Sequence, residues 1–314
     1  MDIIDQQLHV IKESLISKDG EVVELHPDAE KQITQDLIYI NKVKNKEEKE
    51  RKKAFYDMQK AKTEFSEYIN KTLGSFYFYF YNKIPKNLSK QHKIRFLYLC
   101  CYLKYNDPLN RIVIGNTHAK KQYILEKDLM SLLRLKKREY QYTRKILIEN
   151  NLITINNDKT ISVNSEYSFK GKLNKKTIKN DFTRIFENGL KEIYEKSLPS
   201  EHKKIGLLIE ILPFVNYSYN ILCANPEEPD INFIKALNIK NLCDIVGYSK
   251  SNYSKLKKEL LKITINEEPA IMISDTLKNQ TITVNPKLYY KGNNLESLQS
   301  IINYFYLKNT NTVD

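Results

Sequence analysis

The feature that most restricts the fold of this chain is an internal repeat. ISVNSEYSFKGKL, which begins at Ile161, and ITVNPKLYYKGNN, which begins at Ile282, both read Val-Asn, then an aromatic residue, then Lys-Gly. Upstream, LMSLLRLKKREYQYTRKIL from Leu129 aligns without gaps with LCDIVGYSKSNYSKLKKEL from Leu242. Each copy is roughly 80 to 90 residues long, which exceeds a solenoid repeat and suits a small domain.

The first copy (88–171) and the second copy (198–292) show the same order of predicted elements. Apolar residues at helical spacing, helix-start residues such as Ser89 and paired β-rich runs define this order. In chain order the predicted helices are 89–102, 125–135 and 138–149 in the first copy and 200–215, 239–248 and 251–263 in the second. The predicted hairpins are LITIN with TISVN and AIMIS with QTITVN. A helix, a helix-turn-helix and a hairpin, in this order, predict a winged helix in each copy.

The third helix of each copy is predicted to be amphipathic. Its inward residues are Tyr140, Thr143 and Leu147 in the first copy and Tyr253, Leu256, Leu260 and Ile263 in the second. Its candidate DNA-binding residues are Lys136, Lys137, Arg138, Gln141, Tyr142 and Lys145 in the first copy and Lys250, Ser251, Asn252, Lys255 and Lys258 in the second. Amides can pair with adenine, Arg or Lys with guanine, and hydroxyls with phosphate, so this composition suits a helix that reads the major groove. A solvated, lysine-rich helix face is the alternative.

Lysines in and beside the two hairpins are the candidate contacts to the DNA backbone. They are Lys159, Lys170, Lys172, Lys278 and Lys291. The net charge of +13 agrees with a polyanionic partner, although a basic protein without such a partner is the alternative.

The duplicated LxxLLxL…YxxxxKxL helices and the VN…KG strand ends resemble tandem winged-helix DNA-binding proteins of bacterial plasmids and phages, among them replication initiators. The resemblance covers about 88–294. It implies sequence-specific binding of double-stranded DNA, with helix three in the major groove and the hairpin on the backbone. It leaves replication initiation and transcription control both open. The alternative from another class is a scaffold whose winged helices bind protein, without direct DNA readout.

The expected architecture is therefore mainly α with small β wings (α+β), in three parts. These are an N-terminal segment with a long charged helix (1–73), a first winged-helix domain with an aromatic strand (74–175), and a second with a C-terminal helix (176–314). The charged helix is expected to pack on the body or to bind a partner, either a second copy of the chain or a host replication or transcription protein. A basic arm lying on DNA phosphates is the alternative.

The run GSFYFYFYNKIP contains six consecutive aromatic residues, Phe76 to Tyr81. Its β-propensity predicts a strand in which the phenylalanines face the core and the tyrosines are half-exposed. A base-stacking platform for single strands is the alternative.

No spacing typical of a catalytic or metal site is found. The five histidines lie far apart, phosphate-binding glycine motifs are missing, and the acidic residues are scattered. We expect no enzyme activity, no cofactor and no metal. His92 and His202 recur at equivalent points near the start of helix one, where a helix-surface or capping role is expected.

The expected location is the cytoplasm. The four cysteines form neither a Cys-x-x-Cys pair nor a disulfide-like series, and the N-terminus lacks a secretion signal. No apolar run approaches the length that spans a bilayer, so no membrane partner is expected.

Overall fold

The computed structural model describes residues 3–15, 20, 24, 26–115, 122–172, 182–275 and 280–310. The chain divides into two compact units, Met1–Glu64 and Phe65–Asp314. Helices predominate and the strands form small antiparallel sheets, so the predicted mainly α class with small β elements is confirmed. None of the described helices combines the length and the apolar character that crossing a bilayer requires.

The first unit is a pair of antiparallel helices. They are α1 (Ile3–Ser14) and α2 (Pro27–Thr72), and the residues of α2 from Phe65 onward belong to the second unit. Lys12 Nζ lies 2.6 Å from Glu30 Oε1, and Asn41 Nδ2 donates a hydrogen bond to Gln7 Oε1 at 2.9 Å. These contacts pair the end of α1 with the beginning of α2.

The predicted charged helix is present in α2. Pro27 lies in its first turn, where no helical N–H bond is lost, and Glu48 pairs with Lys52 one turn later along the charged centre at 2.6 Å. Within the first unit the apolar side chains of α2 are largely exposed, including those of Phe55 and Tyr56. The first unit therefore exposes large apolar side chains along α2.

The second unit begins with β1 (Phe76–Tyr79) and continues into the first copy of the repeat. The elements of the first copy are α3 (Lys90–Cys100), β2 (Val113–Ile114), β3 (Gln122–Tyr123), α4 (Leu129–Leu132), α5 (Lys137–Glu149), β4 (Ile153–Ile155), β5 (Ile161–Val163) and β6 (Ser168–Phe169). All three predicted helices and the predicted hairpin are present. The second helix is shorter than predicted because the chain turns at Arg134, whose φ of 54° lies in the left-handed region.

A strand and a helix, β7 (Thr183–Phe186) and α6 (Glu187–Lys196), lead into the second copy. The elements of the second copy are α7 (His202–Ile205), α8 (Leu207–Glu210), α9 (Ile239–Val246), α10 (Tyr253–Leu261), β8 (Thr264–Ile265), β9 (Glu268–Pro269), β10 (Ile271–Asp275), β11 (Gln280–Val284) and β12 (Tyr289–Tyr290). The predicted helix 200–215 is broken between α7 and α8. At this break a Cβ on Gly206 would lie 2.4 Å from the carbonyl oxygen of Lys90, so the glycine lets α3 approach closely.

One four-stranded antiparallel sheet joins the two copies, in the order β12-β7-β1-β6. At its centre β1 pairs with β7, with Phe76 opposite Phe186 and Tyr79 opposite Thr183. Each central strand pairs on its other side with the last strand of the copy that follows it. The two copies are therefore related by an approximate two-fold axis through the centre of the sheet, and both lie in one compact unit.

Two buried asparagines make equivalent hydrogen bonds in the two copies. Asn110 and Asn220 have φ angles of 51° and 53°. The amide of Asn110 donates to the carbonyls of Val163 and Ser168, both at 2.8 Å. The amide of Asn220 donates to the carbonyls of Val284 and Tyr289, at 3.2 and 2.9 Å. Each asparagine ties the end of a hairpin to the strand that enters the central sheet.

The recurring Lys-Gly pairs follow these strands, and their glycines are required by close packing. A Cβ on Gly171 would lie 2.3 Å from Asn106 Oδ1, and one on Gly292 would lie 2.7 Å from the carbonyl oxygen of Tyr217. In both copies the partner lies in the loop after helix one, four or three residues before the buried asparagine. The repeat seen in the sequence therefore marks the border of the central sheet.

Four residues of the aromatic run form β1 as predicted, and Tyr81 beyond it is partly exposed as predicted, but Tyr77 and Tyr79 are not half-exposed. Tyr77 and Tyr79 are almost fully buried, and Tyr77 Oη donates to the carbonyl of Leu97 on α3 at 2.8 Å. Phe78 and Phe80 are buried on the other face. The alternation was predicted correctly, but both faces are covered because helices pack on one and further aromatic rings on the other.

A second apolar cluster closes the end of the unit. It contains the last turns of α2 and the helix α11 (Leu295–Thr310). Its buried members are Phe65, Ile69, Leu73, Phe186, Met272, Tyr290, Leu298, Ile301 and Phe305. The C-terminal helix α11 thus packs against the last turns of α2 and against residues of β7, β10 and β12, and it does not form a separate layer.

Replacing Asn110 with alanine is expected to lower the free energy of unfolding by about 2–4 kcal/mol, because two buried carbonyls lose their donor and a left-handed residue is exchanged. Asn151→Ala is the matched control. Asn151 has a φ of 54° but is exposed, so its replacement reports the backbone cost alone, about 1 kcal/mol. Urea unfolding measures the free energy of unfolding of both variants. Equal losses would contradict a stabilising role for the two hydrogen bonds of the Asn110 side chain.

Candidate nucleic-acid interface

The outer face of α5 carries the predicted residues of the first copy. Thr143 and Leu147 are buried against the core, as predicted, and this fixes which face of the helix points outward. The exposed residues of this face are Lys136, Lys137, Arg138, Gln141, Tyr142 and Lys145. Lys145 pairs with Glu149 at 3.7 Å, and both side chains are mostly exposed, so this pair is weak. The face is therefore rich in cations and hydrogen-bond donors.

The third helix of the second copy presents a similar face. Its first turn is a 3-10 turn, Lys250–Asn252, and α10 follows directly. Leu256 and Leu260 are buried, whereas Tyr253, predicted to turn inward, is 40% exposed. The exposed predicted residues are Lys250, Ser251, Asn252, Lys255 and Lys258. The prediction for Tyr253 was wrong: this residue begins α10, and its ring contacts the amine of Lys240, 5.5 Å from the ring centre, instead of entering the core.

Of the hairpin lysines, two are exposed in the described residues. Lys159 lies at the tip of the β4–β5 hairpin with a φ of 65°, and Lys172 lies just after β6. Lys278 lies outside the described residues.

Lys170 and Lys291, also predicted to contact the DNA backbone, are held inside the protein. Lys170 forms an ion pair with Glu187, and only 19% of its side chain is exposed. Lys291 is 3% exposed, with Nζ 2.9 Å from Tyr81 Oη and 4.4 Å from the centre of the Tyr81 ring. Neither amine is placed to reach a phosphate, so we correct this assignment. A lysine count cannot separate these two from exposed lysines.

The two buried amines make equivalent contacts across the pseudo-two-fold axis. Lys170 ends the first copy but pairs with Glu187, which directly follows β7. Lys291 ends the second copy but pairs with Tyr81, which follows β1. The partner of each copy's lysine therefore lies in the segment that precedes the other copy.

A fully buried arginine, Arg95 on α3, connects α5 to the second copy. Its Nη1 donates to Thr143 Oγ1 at 2.8 Å and its Nη2 forms an ion pair with Glu139, both on α5. Its Nε donates to His202 Nδ1 on α7 at 3.0 Å. The helix that carries the first set of predicted residues is thus fixed, through one guanidinium, to both copies. The sequence signal was a single charge inside the apolar run IRFLYLCC.

Both histidines for which a helix-surface or capping role was predicted are buried, so the surface role is wrong, whereas His92 does contact the N-cap residue Ser89. His202 accepts from Arg95, and burial together with the nearby guanidinium charge lowers the pKa of His202 to about 3. His92 Nδ1 lies 2.8 Å from Ser89 Oγ, and burial followed by the charge of Arg95 lowers the pKa of His92 to about 4. His92 also packs against the ring of Tyr142, at 5.4 Å between centroids. Both rings are neutral supports of the helices around them.

Within 3–15, 20, 24, 26–115, 122–172, 182–275 and 280–310, no group of three or more His, Cys, Asp or Glu side chains could hold a metal ion. Comparisons of the chain with protein-family models, with curated proteins and with solved structures gave no match.

Lowering the pH from 7.5 to 5 is expected to reduce the free energy of unfolding by about 2 kcal/mol for each of His92 and His202. Their pKa values in the folded state, about 4 and about 3, lie below the value of about 6.5 expected in the unfolded chain. Below pH 6.5 the unfolded state therefore binds protons that the folded state does not, and stability falls with pH.

Urea unfolding at a series of pH values measures this dependence. His202→Asn keeps an acceptor for Arg95 but removes the titrating ring. The free energy of unfolding of this variant should therefore fall between pH 7.5 and 5 by about half as much as that of the original chain. An unchanged dependence in this variant would contradict a buried, neutral His202.

Proposed function

We propose that the chain is a sequence-specific double-stranded DNA-binding protein of a mobile element, which controls transcription or initiates replication through two winged-helix readers. The observation that carries this proposal is the matching pair of exposed faces on α5 and on the third helix of the second copy. Both faces combine lysines with side chains that can donate to base edges, and both helices follow the same order of elements.

The electrostatics of α5 support a polyanionic ligand. Its first acidic residue, Glu139, is engaged by the buried Arg95, so this carboxylate is directed away from the outer face. The lysines at the start of the helix form no ion pair with another described residue. Lysines and arginines placed in this way release counterions from DNA on binding, which drives association.

The asymmetry between the faces supports recognition of two different half-sites. The first face offers Arg138, Gln141 and Tyr142, whereas the second offers Ser251, Asn252 and Lys255. Arginine favours guanine and asparagine or glutamine favours adenine, so one base sequence cannot suit both readers equally.

A protein-binding scaffold is the second candidate function. The observation that favours it is the exposure of large apolar side chains on α2, such as Phe55 and Tyr56, in the first unit. Such residues suit a helix that binds a second copy or a host replication or transcription protein. Retention on random DNA or heparin at physiological salt separates the two functions, since a scaffold should not be retained.

Arg138→Ala and Lys255→Ala are each expected to reduce the salt dependence of DNA binding and to relax base preference at separate half-sites. Loss of one phosphate contact should lower the slope of log K against log salt by about 0.9, and loss of one base contact should cost about 1–3 kcal/mol of discrimination. Fluorescence anisotropy at several salt concentrations measures both quantities.

Lys86→Ala is the control, because it removes an exposed lysine in the loop before α3. If all three variants change affinity for every sequence equally, neither helix reads bases.

The two readers are expected to lie in opposite directions on the duplex, because the copies are related by a pseudo-two-fold axis. The predicted site is about 20 base pairs long, with half-site centres about 10–10.5 base pairs apart. An iron chelate attached at Lys136→Cys or at Ser249→Cys, which both precede a third helix, should cut the DNA at positions that mirror each other about the site's centre. The four native cysteines are buried, so the new thiol is labelled selectively. Cuts displaced in the same direction would contradict this arrangement.

A further inference from the structure

A cleft of about 660 Å³ lies between α10 and the adjoining ends of α6 and α7. Its floor is apolar and includes Ile193, Ile205 and Ile263, each of which is at least 92% buried. Sites for small ligands in proteins have volumes in the range of about 300–1,000 Å³. The cleft is therefore large enough to hold several groups of a bound molecule at once.

Lysines dominate the walls of this cleft. They are Lys196, Lys204, Lys255, Lys258 and Lys262. Lys196 pairs with Glu192 on its own helix at 2.7 Å. In the part of the chain that the structure describes, no ion pair or hydrogen bond engages the side-chain amine of any of the other four.

The two carboxylates in the cleft are already engaged by other groups. Glu201 Oε2 accepts from the backbone N–H of Leu198 at 2.9 Å, which closes the turn before α7. Glu259 Oε2 accepts from Tyr248 Oη at 2.6 Å. Five lysines thus face two occupied carboxylates, and the cleft has a surplus of positive charge that suits an anionic ligand.

We propose that this cleft binds the sugar–phosphate backbone of the same duplex, beside the half-site that the second copy reads. The inference rests on the proposed function. Two of its lysines, Lys255 and Lys258, also belong to the outer face of α10, so the cleft continues that face without interruption. The amines are spread along the cleft and do not converge on one point, and such a spread suits several successive phosphates. The isoleucine floor suits the apolar side of deoxyribose.

Lys204 and Lys262 are the residues that extend the contact surface beyond the predicted reader. The bound DNA would therefore be covered past the second half-site, on the side of α6. A duplex that ends at this half-site lacks the phosphates in question, whereas a duplex extended by about one helical turn, roughly 10 base pairs, supplies them.

The test uses the full chain with the double variant Lys204→Gln/Lys262→Gln. On the extended duplex the slope of log K against log salt should fall by about 1.8, with roughly tenfold weaker binding at physiological salt. On the truncated duplex the variant and the original chain should bind alike. The control is Lys203→Gln/Lys235→Gln, which removes two exposed lysines without changing the cleft lining.

The outcomes separate the two proposals. If the original chain binds neither duplex in a salt-dependent way, the proposed function fails. If the chain binds DNA but the cleft variant equals the control, or loses affinity equally on both duplexes, only the cleft inference is overturned. Calorimetric titration with inorganic tripolyphosphate at constant ionic strength tests a small anion as the ligand. Binding that the cleft variant loses, without any difference between the duplexes, would also overturn a DNA-backbone site.

Discussion

The antiparallel pairing of β1 with β7 determines where both third helices lie. These two short strands are the only direct ladder between the halves of the four-stranded sheet in the described residues, and each carries its own copy on its outer side. Asn110 and Asn220 then fix the hairpins relative to this sheet. The amide of each donates to one carbonyl at the end of a hairpin and to one carbonyl in a strand of the sheet. A one-residue change in the register between β1 and β7 would turn the side chains of one strand to the opposite side of the sheet. The copies attached to these strands would move with it, and so would the exposed faces of α5 and α10.

The buried guanidinium of Arg95 connects α5 to α7, and its removal from water costs free energy. A charge removed from water is unfavourable unless its hydrogen bonds are satisfied, and here three different side chains accept from it. His202 must remain neutral to act as one of these acceptors. The three contacts require acceptors on α5 and α7 to lie at set positions around one guanidinium group. Hydrogen bonding as well as burial therefore orients α5.

Much of the local structure could be predicted from the sequence, because it depends on period and on turn residues. The third helices, both hairpins and the burial of Thr143, Leu147, Leu256 and Leu260 follow from spacing alone. The central sheet could not be predicted, since β6 and β12 are two residues long and their pairing is set by distant contacts. The same reason explains the error for Lys170 and Lys291. Their surroundings come from residues of the other copy, and a lysine beside a glycine gives no signal of burial. Exposed residues of α5 and α10 were easier to identify, because amphipathic spacing defines an outer face without knowledge of the partner.

The contacts of Lys170 and Lys291 couple the end of each copy to the segment that precedes the other copy. Lys170 pairs with Glu187, which precedes the second copy, and Lys291 donates to Tyr81, which precedes the first copy. A fragment that ended before Glu187 would keep Lys170 without this carboxylate, and a partly buried ammonium group that loses its counter-charge opposes folding. A cut between the two copies, ahead of Glu187, would therefore remove a side-chain contact from the end of each of them.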